Sequence, residues 1–379
     1  MIYLDNAATS FPKPQKVFEA VDYAQRNYAV NVGRGSYPLA NYAASIVDET
    51  KALLAKLVNA KSTSDVVFTP SATLAANEII LGLPWDRYKT VYLSPFEHNA
   101  IARSLNRQCE LFGLQMNLLP FSSDTQEWDQ EATKHLFEQT PPDYVFISHV
   151  SNVTGLVLPV ADIARLAKEY NAVVIVDASQ SLGLLALDLQ RDLIDYLIFA
   201  GHKSLYSSWG IGGFVANNHL LTPVICGGTG SDSLNLSMDN HFSGSYEAGS
   251  PNTIAIASLN ASLKWINEIT PASIIKKKNQ LMGLLLSLLE KDTFKLYLPS
   301  SISSHTSILS LNVEDYEPSE VGIILANDYD IAVRTGYHCA PFVHDLIGTR
   351  ERLGTVRISL GYFNTEEDII SVANALKDL

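Results

Sequence analysis

Cysteine and positive charge are both scarce in this sequence of 379 residues. The three cysteines are odd in number and form no C-x-x-C pair, which argues against a disulfide framework or a zinc knuckle and favours a reducing, cytoplasmic environment. The 27 basic residues are outnumbered by 40 acidic ones, so the formal net charge is −13. A surface this acidic repels nucleic-acid phosphates and anionic membranes, and neither is an expected partner.

Long apolar runs and nucleotide-binding motifs are also missing. The most apolar helical stretch, residues 281–289, is too short to span a bilayer, and the first residues lack the basic start and apolar segment of a signal peptide. No G-x-G-x-x-G follows a predicted strand, and Gly201-His202-Lys203 lacks the spacing of a P-loop. The sequence therefore supports neither a dinucleotide site nor a P-loop, and no metal site is predicted.

The residues that are present indicate a globular α/β protein. Short runs rich in Val and Ile alternate with helical patterns, which is typical of parallel strands buried on both faces. The predicted strands are 66–69, 90–93, 144–149, 172–177 and 196–200. After Pro251 a long helical stretch is followed by strands near 307–313 and 355–359. We predict a large domain with a mainly parallel central sheet over residues 1–255 and a smaller α+β domain over residues 256–379.

Polar side chains follow several of the predicted strands. Active sites on parallel sheets collect at the carboxyl ends of the strands. Asp177 ends one strand, and Lys203 follows the next. This pair suits pyridoxal 5′-phosphate (PLP), because a carboxylate can keep the pyridine nitrogen protonated and a lysine can bind the cofactor as a Schiff base. Taken singly, Asp177 could be a helix cap and Lys203 a solvated loop residue.

Eight motifs, in a fixed order, extend this interpretation over nearly the whole chain. They are Tyr3-Leu4-Asp5-Asn6-Ala7-Ala8-Thr9, Asn31 to Gly35, Glu97-His98-Asn99, Ser151-Asn152-Val153-Thr154-Gly155, Asp177-Ala178-Ser179-Gln180, Gly201-His202-Lys203, Gly249-Ser250-Pro251-Asn252-Thr253 and Arg334-Thr335-Gly336-Tyr337-His338-Cys339-Ala340-Pro341. Together they resemble the class V aminotransferase family and, within it, the branch of group II-like cysteine desulfurases and selenocysteine lyases. The resemblance implies a PLP-dependent transferase of fold type I that forms a homodimer with shared sites.

The resemblance also implies which residues bind the cofactor. His98 would stack on its ring and help in proton transfer. Thr73, at the start of a helix, would bind the phosphate together with backbone N–H groups. The implied set is Lys203, Asp177, Gln180, His202, His98, Asn152, Ala72, Thr73 and, from the partner subunit, Ser250. For His98 the alternative is an ordinary capped or core histidine, and for Asn152 and Gln180 it is ordinary turn polarity.

Arg357 lies inside an apolar predicted strand, where a buried arginine needs an anion. The resemblance assigns it to the α-carboxylate of an amino-acid substrate, and a structural salt bridge is the alternative. The implied substrate-binding set is Arg357, Asn152, Arg334 and Ala7. Arg34 is a further candidate for a substrate or interface contact.

Cys339 would determine the reaction. In the implied mechanism Lys203 removes the substrate Cα proton, and the Cys339 thiolate then attacks the sulfur of substrate cysteine. Alanine leaves, and the sulfur stays on Cys339 as a persulfide that passes to an acceptor protein or a small thiol. Nearby arginines are expected to favour the thiolate. The implied catalytic set is Lys203, Cys339 and His98.

Several positions depart from the family pattern, and they affect phosphate contacts and substrate choice. They are Ala200, Ala72, Leu74, Tyr37 and the segment 207–209. Three other interpretations therefore remain open. One is a selenocysteine lyase, and another is a class V aminotransferase or epimerase in which Cys339 has no role. The third is a PLP-fold protein that binds a partner without catalysis.

Overall fold

The computed structural model describes residues 1–32, 35–228, 234, 236–238, 242–289, 293–301 and 304–379. Its strands are β1 (Ile2–Tyr3), β2 (Val66–Thr69), β3 (Val91–Leu93), β4 (Met116–Leu118), β5 (Tyr144–Ser148), β6 (Val173–Asp177), β7 (Tyr196–Ala200), β8 (Gly212–Ala216), β9 (Phe294–Tyr297), β10 (Ile308–Val313), β11 (Ile331–Ala332), β12 (Arg334–Gly336) and β13 (Thr355–Ser359). Its α-helices are α1 (Gln15–Asn27), α2 (Pro38–Leu57), α3 (Ala72–Gly82), α4 (Asn99–Phe112), α5 (Gln130–Gln139), α6 (Val160–Lys168), α7 (Phe242–Tyr246), α8 (Thr253–Ile269), α9 (Pro271–Leu288), α10 (Pro318–Tyr329), α11 (Val343–Leu346) and α12 (Glu366–Lys377).

A seven-stranded sheet in the order β2-β8-β7-β6-β5-β3-β4 forms the centre of the larger part of the chain. The five strands from β7 to β4 are parallel to their neighbours, whereas β8 runs antiparallel to both β7 and β2. Both faces are covered: Val174 and Val176 of β6 point into one apolar cluster, and Val173 and Ile175 into the other. The predicted α/β fold with a mainly parallel sheet is confirmed.

The predicted parallel strands agree with the structure to within one residue at each end. The prediction omitted β8, because its two leading glycines, Gly212 and Gly213, are poor strand formers. The long helical stretch after Pro251 is two helices, α8 and α9, and the chain turns between them at Thr270 before Pro271. Proline has no backbone N–H to donate, so it starts a helix readily but interrupts one that is already running.

A second sheet, β12-β13-β10-β9, is antiparallel throughout and packs against α9 and α12. β1 pairs in parallel with β11, which ties the N-terminus to this part of the chain. α8 packs against α1 and α2, and its apolar residues belong to the cluster that covers one face of the seven-stranded sheet. The division into domains at residues 255 and 256 remains a prediction. Among the described residues, no helix is both long enough and apolar enough to cross a membrane.

Close packing of β8 depends on Gly213. A Cβ atom at this position would lie 2.0 Å from the carbonyl oxygen of Val67 on β2 and 2.8 Å from the ring of Phe199 on β7. Neither neighbour can withdraw without disturbing the sheet, since both belong to adjacent strands. The glycine therefore permits the hydrogen-bonded approach of three strands beside the pocket described below.

We expect Gly213→Ala to lower the free energy of unfolding by about 3 kcal/mol or more, because the added methyl group overlaps backbone that cannot move. Gly283→Ala is the matched control, because a Cβ there meets nothing within 4 Å. As that site is inside α9, the control should be neutral or stabilising by up to about 1 kcal/mol. Urea unfolding measures both variants. Equal stability of the two would contradict the role assigned to Gly213.

Candidate active site

A pocket of about 250 Å³ lies at the carboxyl ends of β5, β6 and β7. Parallel strands leave such a crevice where their connections diverge, and polar groups that follow the strands converge there. The lining residues that matter below are Ala7, Ser71, Ala72, Thr73, His98, Asn152, Asp177, His202, Lys203, Trp209, Arg334, His338, Cys339 and Arg357. The structure therefore brings most of the residues predicted from sequence into one pocket.

Lys203 and Asp177 line the pocket together. Burial lowers the pKa of the Lys203 amine, and the negative charge of Asp177 partly opposes that shift. A lowered pKa suits a lysine that must lose its proton before it can act as a nucleophile or base. Asp177 ends β6, and one of its carboxylate oxygens accepts a hydrogen bond from the backbone N–H of Ser179 at 2.9 Å.

His98 is both a helix cap and a pocket residue. Its Nδ1 accepts a hydrogen bond from the backbone N–H of Ala100 at 3.0 Å, which caps α4. Burial, followed by the positive charge of Lys203, lowers the pKa of His98 to about 4. The ring is therefore neutral at pH 7, and because Nδ1 is an acceptor, its proton is on Nε2. The capping role considered as the alternative is therefore present, while stacking on a cofactor and proton transfer by His98 remain predictions.

Glu97, directly before His98, connects two strand ends. The carboxylate accepts hydrogen bonds from the Ser94 hydroxyl at 2.6 Å and the Ser148 hydroxyl at 3.0 Å, and also from the Ser148 backbone N–H. Ser94 follows β3 and Ser148 ends β5, so Glu97 fixes the loop that carries His98 relative to both strands. Burial raises the pKa of this carboxyl to about 7.

The N-terminus of α3 lies at one end of the pocket. The Ser71 side chain accepts a hydrogen bond from the backbone N–H of Leu74 and caps the helix, and Ser71, Ala72 and Thr73 line the pocket. Helix N-termini present free N–H groups and a positive dipole end to anions. A Cβ on Gly212 would lie 2.7 Å from the Ala72 nitrogen, so only glycine lets β8 pass this close.

His202 lies beside the same helix end. Its ring stacks on Trp209 with 3.9 Å between ring centroids. Burial and the charges of Lys203 and Lys13 lower its pKa to about 3, which keeps the imidazole neutral. Within the described residues, the buried Nδ1 of His202 has no hydrogen-bond partner. The stacking therefore holds the ring in place, and its Nδ1 remains available for a hydrogen bond.

Arg357 on β13 is 1% exposed and has two protein partners. One terminal nitrogen donates to Asp5 at 2.6 Å, and the other donates to the carbonyl oxygen of Asn152 at 2.9 Å. The salt bridge that sequence reasoning considered as an alternative is therefore present, with Asp5 as the partner. In the described part of the chain the buried Nε has no partner, and the side chain lines the pocket.

Cys339 occupies a tight turn at the edge of the pocket. The Ala340 N–H donates to the Tyr337 carbonyl at 3.0 Å, and both central residues, His338 and Cys339, have left-handed φ angles of 48° and 58°. Left-handed backbone costs residues with a side chain about 1–2 kcal/mol each. Neighbouring segments hold the turn: the Asn152 amide donates to the His338 carbonyl and the Asn99 N–H donates to the Cys339 carbonyl, each at 2.7 Å.

A buried chain of hydrogen bonds anchors the turn from below. Ser310 donates its only hydroxyl hydrogen to the Val153 carbonyl (2.7 Å), and Thr355 donates its own to Ser310 (3.0 Å). Thr355 can then only accept from Nε2 of His338, which lies 2.8 Å away. The order of donors fixes the tautomer of His338 and couples the cysteine turn to the segment that carries Asn152.

Arg334 is next to the thiol. Its guanidinium donates to the Cys339 sulfur at 3.7 Å, and it is opposite Arg357 across the β12–β13 pair. The three side chains line the pocket together with Lys203. The arrangement puts a thiol, two guanidinium groups and an amine around one space.

The remaining predicted residues are placed differently. Gln180 donates to the Ala7 carbonyl at 2.8 Å and lines a smaller cavity that it shares with His98, Asp177 and Lys203. Ser250 is exposed, accepts a hydrogen bond from Asn31 and does not line the pocket of its own chain. A contribution from the partner subunit's Ser250 remains a prediction. Arg34 is outside the described residues.

Sequence reasoning missed the supporting roles of Asp5, His338 and Trp209. Asp5 and His338 are within quoted motifs, but their contacts with Arg357 and Thr355 span 352 and 17 positions along the chain. Trp209 was noted only as a departure from the family pattern, yet it is 63% exposed and stacks on His202. The one signal that the sequence offered was a tryptophan a few residues after the lysine motif.

The family model described as aminotransferase class-V matches residues 2–372. The chain therefore belongs to the class V aminotransferase family. Among curated relatives, a probable cysteine desulfurase of Pyrococcus abyssi is 29% identical and one of Aeropyrum pernix is 31% identical. In each case the alignment covers 100% of this chain and 94% of the relative.

Solved structures agree with this assignment. The apo structure of a cysteine desulfurase from Thermococcus onnurineus NA1 superposes with a TM-score of 0.91 at 26% identity, covering 100% of this chain and 94% of that one. The predicted fold, that of the fold type I PLP-dependent transferases, is confirmed. Class V aminotransferases are PLP-dependent enzymes as a family.

The pocket residues fit PLP. Asp177 is available for the pyridine nitrogen, Lys203 for the aldehyde carbon and the neutral His98 ring for one face of the pyridine. The N-terminus of α3 and the unpartnered Nδ1 of His202 suit the phosphate. These are the groups that a PLP site requires, and they lie around a single pocket.

We expect Thr355→Val to lower the free energy of unfolding by about 1–3 kcal/mol, because it leaves the buried His338 Nε2–H without an acceptor and removes the hydrogen that Thr355 donates to Ser310. The looser turn should expose Cys339, so its alkylation by iodoacetamide should become faster. The measurements are urea unfolding and alkylation of Cys339 in a Cys226→Ser background, since Cys226 is exposed and would react as well.

Thr355→Ser keeps the hydroxyl and should restore both values. The matched control is Thr306→Val, which removes a hydroxyl whose 3.2 Å hydrogen bond to the Gly155 carbonyl does not belong to the chain of hydrogen bonds. It should not change the alkylation rate. An unchanged rate in Thr355→Val would show that this chain does not hold the cysteine turn.

Proposed function

We propose that the protein is a PLP-dependent cysteine desulfurase, which converts L-cysteine to alanine and retains the sulfur as a persulfide on Cys339. The observation that carries the proposal is that the Cys339 thiol lines the same pocket as Lys203, Asp177 and Arg357. A thiol is not needed for transamination, so its presence in the same pocket as Lys203 favours sulfur chemistry. The curated relatives named probable cysteine desulfurase support the same reading over the full chain.

Arg357 and Arg334 are the residues that would bind the substrate carboxylate. The Nε of Arg357 is buried and has no partner among the described residues, so it can donate to a substrate carboxylate without giving up Asp5. Arg334 lines the same wall of the pocket and adds a second positive charge. Asn152 uses one amide hydrogen on the cysteine turn, and its second amide hydrogen remains for the substrate or cofactor.

Proton transfer falls to Lys203. PLP, when bound, supplies the electron sink that makes the substrate Cα–H bond acidic. Lys203, with its lowered pKa, accepts the Cα proton, and the negative charge of Asp177 stabilises the protonated amine that results. His98 is neutral with its hydrogen on Nε2, so it can donate a hydrogen bond or relay a proton at that atom.

Sulfur transfer falls to Cys339. Its thiolate attacks the substrate sulfur: an S–S bond forms, the Cβ–S bond breaks, and the carbon fragment takes up a proton and leaves as alanine. No external oxidant is needed, because cysteine and the enzyme thiol give alanine and the enzyme persulfide. Arg334, which contacts Sγ at 3.7 Å, stabilises the negative charge before the attack.

The proposal includes three features that go beyond this pocket. The protein is a homodimer in which the partner subunit's Ser250 completes the phosphate site, a role consistent with the exposed position of this residue. It is located in the cytoplasm, where thiols stay reduced. The persulfide is passed to an acceptor that carries a thiol. Sedimentation of the purified protein tests the first of these features.

We expect Cys339→Ser to reduce alanine formation from cysteine by at least about a hundredfold, because serine is a far weaker nucleophile toward sulfur. The measurement is alanine and sulfide release in the presence of dithiothreitol. Turnover of cysteine at the wild-type rate by this variant would remove Cys339 from the mechanism. Turnover of selenocysteine alone by the variant would identify a selenocysteine lyase instead.

The Lys203→Ala variant tests whether Lys203 binds the cofactor, and the wild type tests whether the protein is an enzyme or a binding protein. This variant should lose the visible absorbance of the bound cofactor and all turnover, since no other described residue in the pocket offers an amine. An unchanged spectrum would rule out Lys203 as the cofactor lysine. A normal cofactor spectrum in the wild type with no turnover of any amino acid would favour the non-catalytic binding protein.

A further inference from the structure

A second, larger cavity adjoins the active-site pocket on its outer side. This outer groove has a volume of about 830 Å³ and lies between α4 and the segment that follows β12. The residues that line it are Asn99, Ala102, Arg103, Asn106, Met116, Arg334, Thr335, Tyr337, His338, Cys339, Ala340, Pro341, Phe342, His344 and Arg350. Its volume is in the range of small-molecule sites, which span roughly 300–1,000 Å³.

Cys339 forms part of the wall between the two cavities. Together with His338 and Arg334 it lines both the inner pocket that contains Lys203 and the outer groove. A persulfide on Cys339 would therefore be within reach of an acceptor in the groove while the turn stays where it is. Cys339 can therefore receive sulfur from the inner pocket and pass it to an acceptor in the outer groove without any opening of the active site.

The groove is basic on a chain that is strongly acidic. The formal net charge is −13, yet the described residues contribute three arginines and no carboxylate to the groove lining. Arg350 is held by a salt bridge to Asp345 at 2.8 Å. Arg103 and Arg334 form no salt bridge with any described residue, and the Arg103 side chain is exposed on α4. Two guanidinium groups without a carboxylate partner among the described residues favour a ligand that carries carboxylates.

We propose that the outer groove is a binding site for the sulfur acceptor and that this acceptor is a low-molecular-weight thiol of peptide size with one or more carboxylates. The assignment rests on the proposed desulfurase function. Arg103 and Arg334 bind the carboxylates, and the apolar sides of Tyr337 and Phe342 pack on the body of the molecule. The combination of charge, concave shape and limited volume favours such a thiol over a protein acceptor.

The transfer step balances without a further reactant. The acceptor thiolate attacks the outer sulfur of the Cys339 persulfide, a new S–S bond forms on the acceptor, and the bond between the two sulfurs on Cys339 breaks. The electron pair goes to Sγ of Cys339, which leaves as a thiolate beside the Arg334 guanidinium at 3.7 Å. The products are an acceptor persulfide and an enzyme ready for another cysteine.

The test compares glutathione with its diethyl ester as acceptors for the full-length enzyme supplied with cysteine. Both have the same thiol and skeleton, but only glutathione carries free carboxylates. Wild-type kcat/KM should favour glutathione by about tenfold or more, and this preference should shrink as the salt concentration rises. Arg103→Ala should reduce the preference about fivefold, and Arg103→Lys should retain most of it, because one exposed ion pair is worth up to about a factor of five.

Arg107→Ala is the matched control. Arg107 is also an exposed arginine on α4, but it does not line the groove, so its loss should leave the preference as in the wild type. Equal use of the two acceptors by the wild type, sulfur transfer only to a protein, or an equal effect of Arg103→Ala and Arg107→Ala would each overturn the groove assignment. Alanine release from cysteine is measured separately. If no alanine is released, the desulfurase function itself has failed, and this outcome differs from a failure of the groove assignment.

Discussion

The buried guanidinium of Arg357 joins the parts of the chain that build the pocket. It bonds Asp5 of the N-terminal segment and the carbonyl of Asn152 from the turn after β5, while its own backbone belongs to β13 of the second sheet. A charge removed from water in this way is costly unless it is paired and hydrogen-bonded. The requirement draws three segments, distant in sequence, to one point beside Lys203.

The geometry of the cysteine turn follows from that junction. Once Asn152 is fixed by Arg357, its amide can hold the His338 carbonyl, and the adjacent Val153 carbonyl ends the hydrogen-bond chain that starts at His338. Two successive left-handed residues are unfavourable alone, so these contacts are what keep Cys339 in place. The thiol is thereby presented between an inner pocket and an outer groove, and Arg334, which contacts it, lines both cavities.

Much of the fold was predictable because the relevant signals are local. Strands such as β2 and β7 are short apolar runs, and their core residues are buried on both faces, so periodicity identifies them. β8 escaped prediction for the opposite reason, whereas the break at Thr270 was missed although Pro271 marks it locally. β8 begins with Gly212 and Gly213, which allow the neighbouring strands to approach closely. The distance between these strands depends on residues far apart in the chain, so it cannot be read from the sequence.

For the candidate site, the sequence alone determined the chemical groups: a lysine and an aspartate at neighbouring strand ends, a histidine before α4, and a cysteine in a loop with arginines nearby. These follow from the strand-end rule and from motif order, both of which are readable along the chain. Only the tertiary structure decided what each group contacts. The pairing of Arg357 with Asp5, the tautomer of His338 and the opening of Cys339 to a second, basic cavity all depend on contacts between distant segments. Such contacts are set by packing and desolvation in three dimensions, which no local pattern encodes.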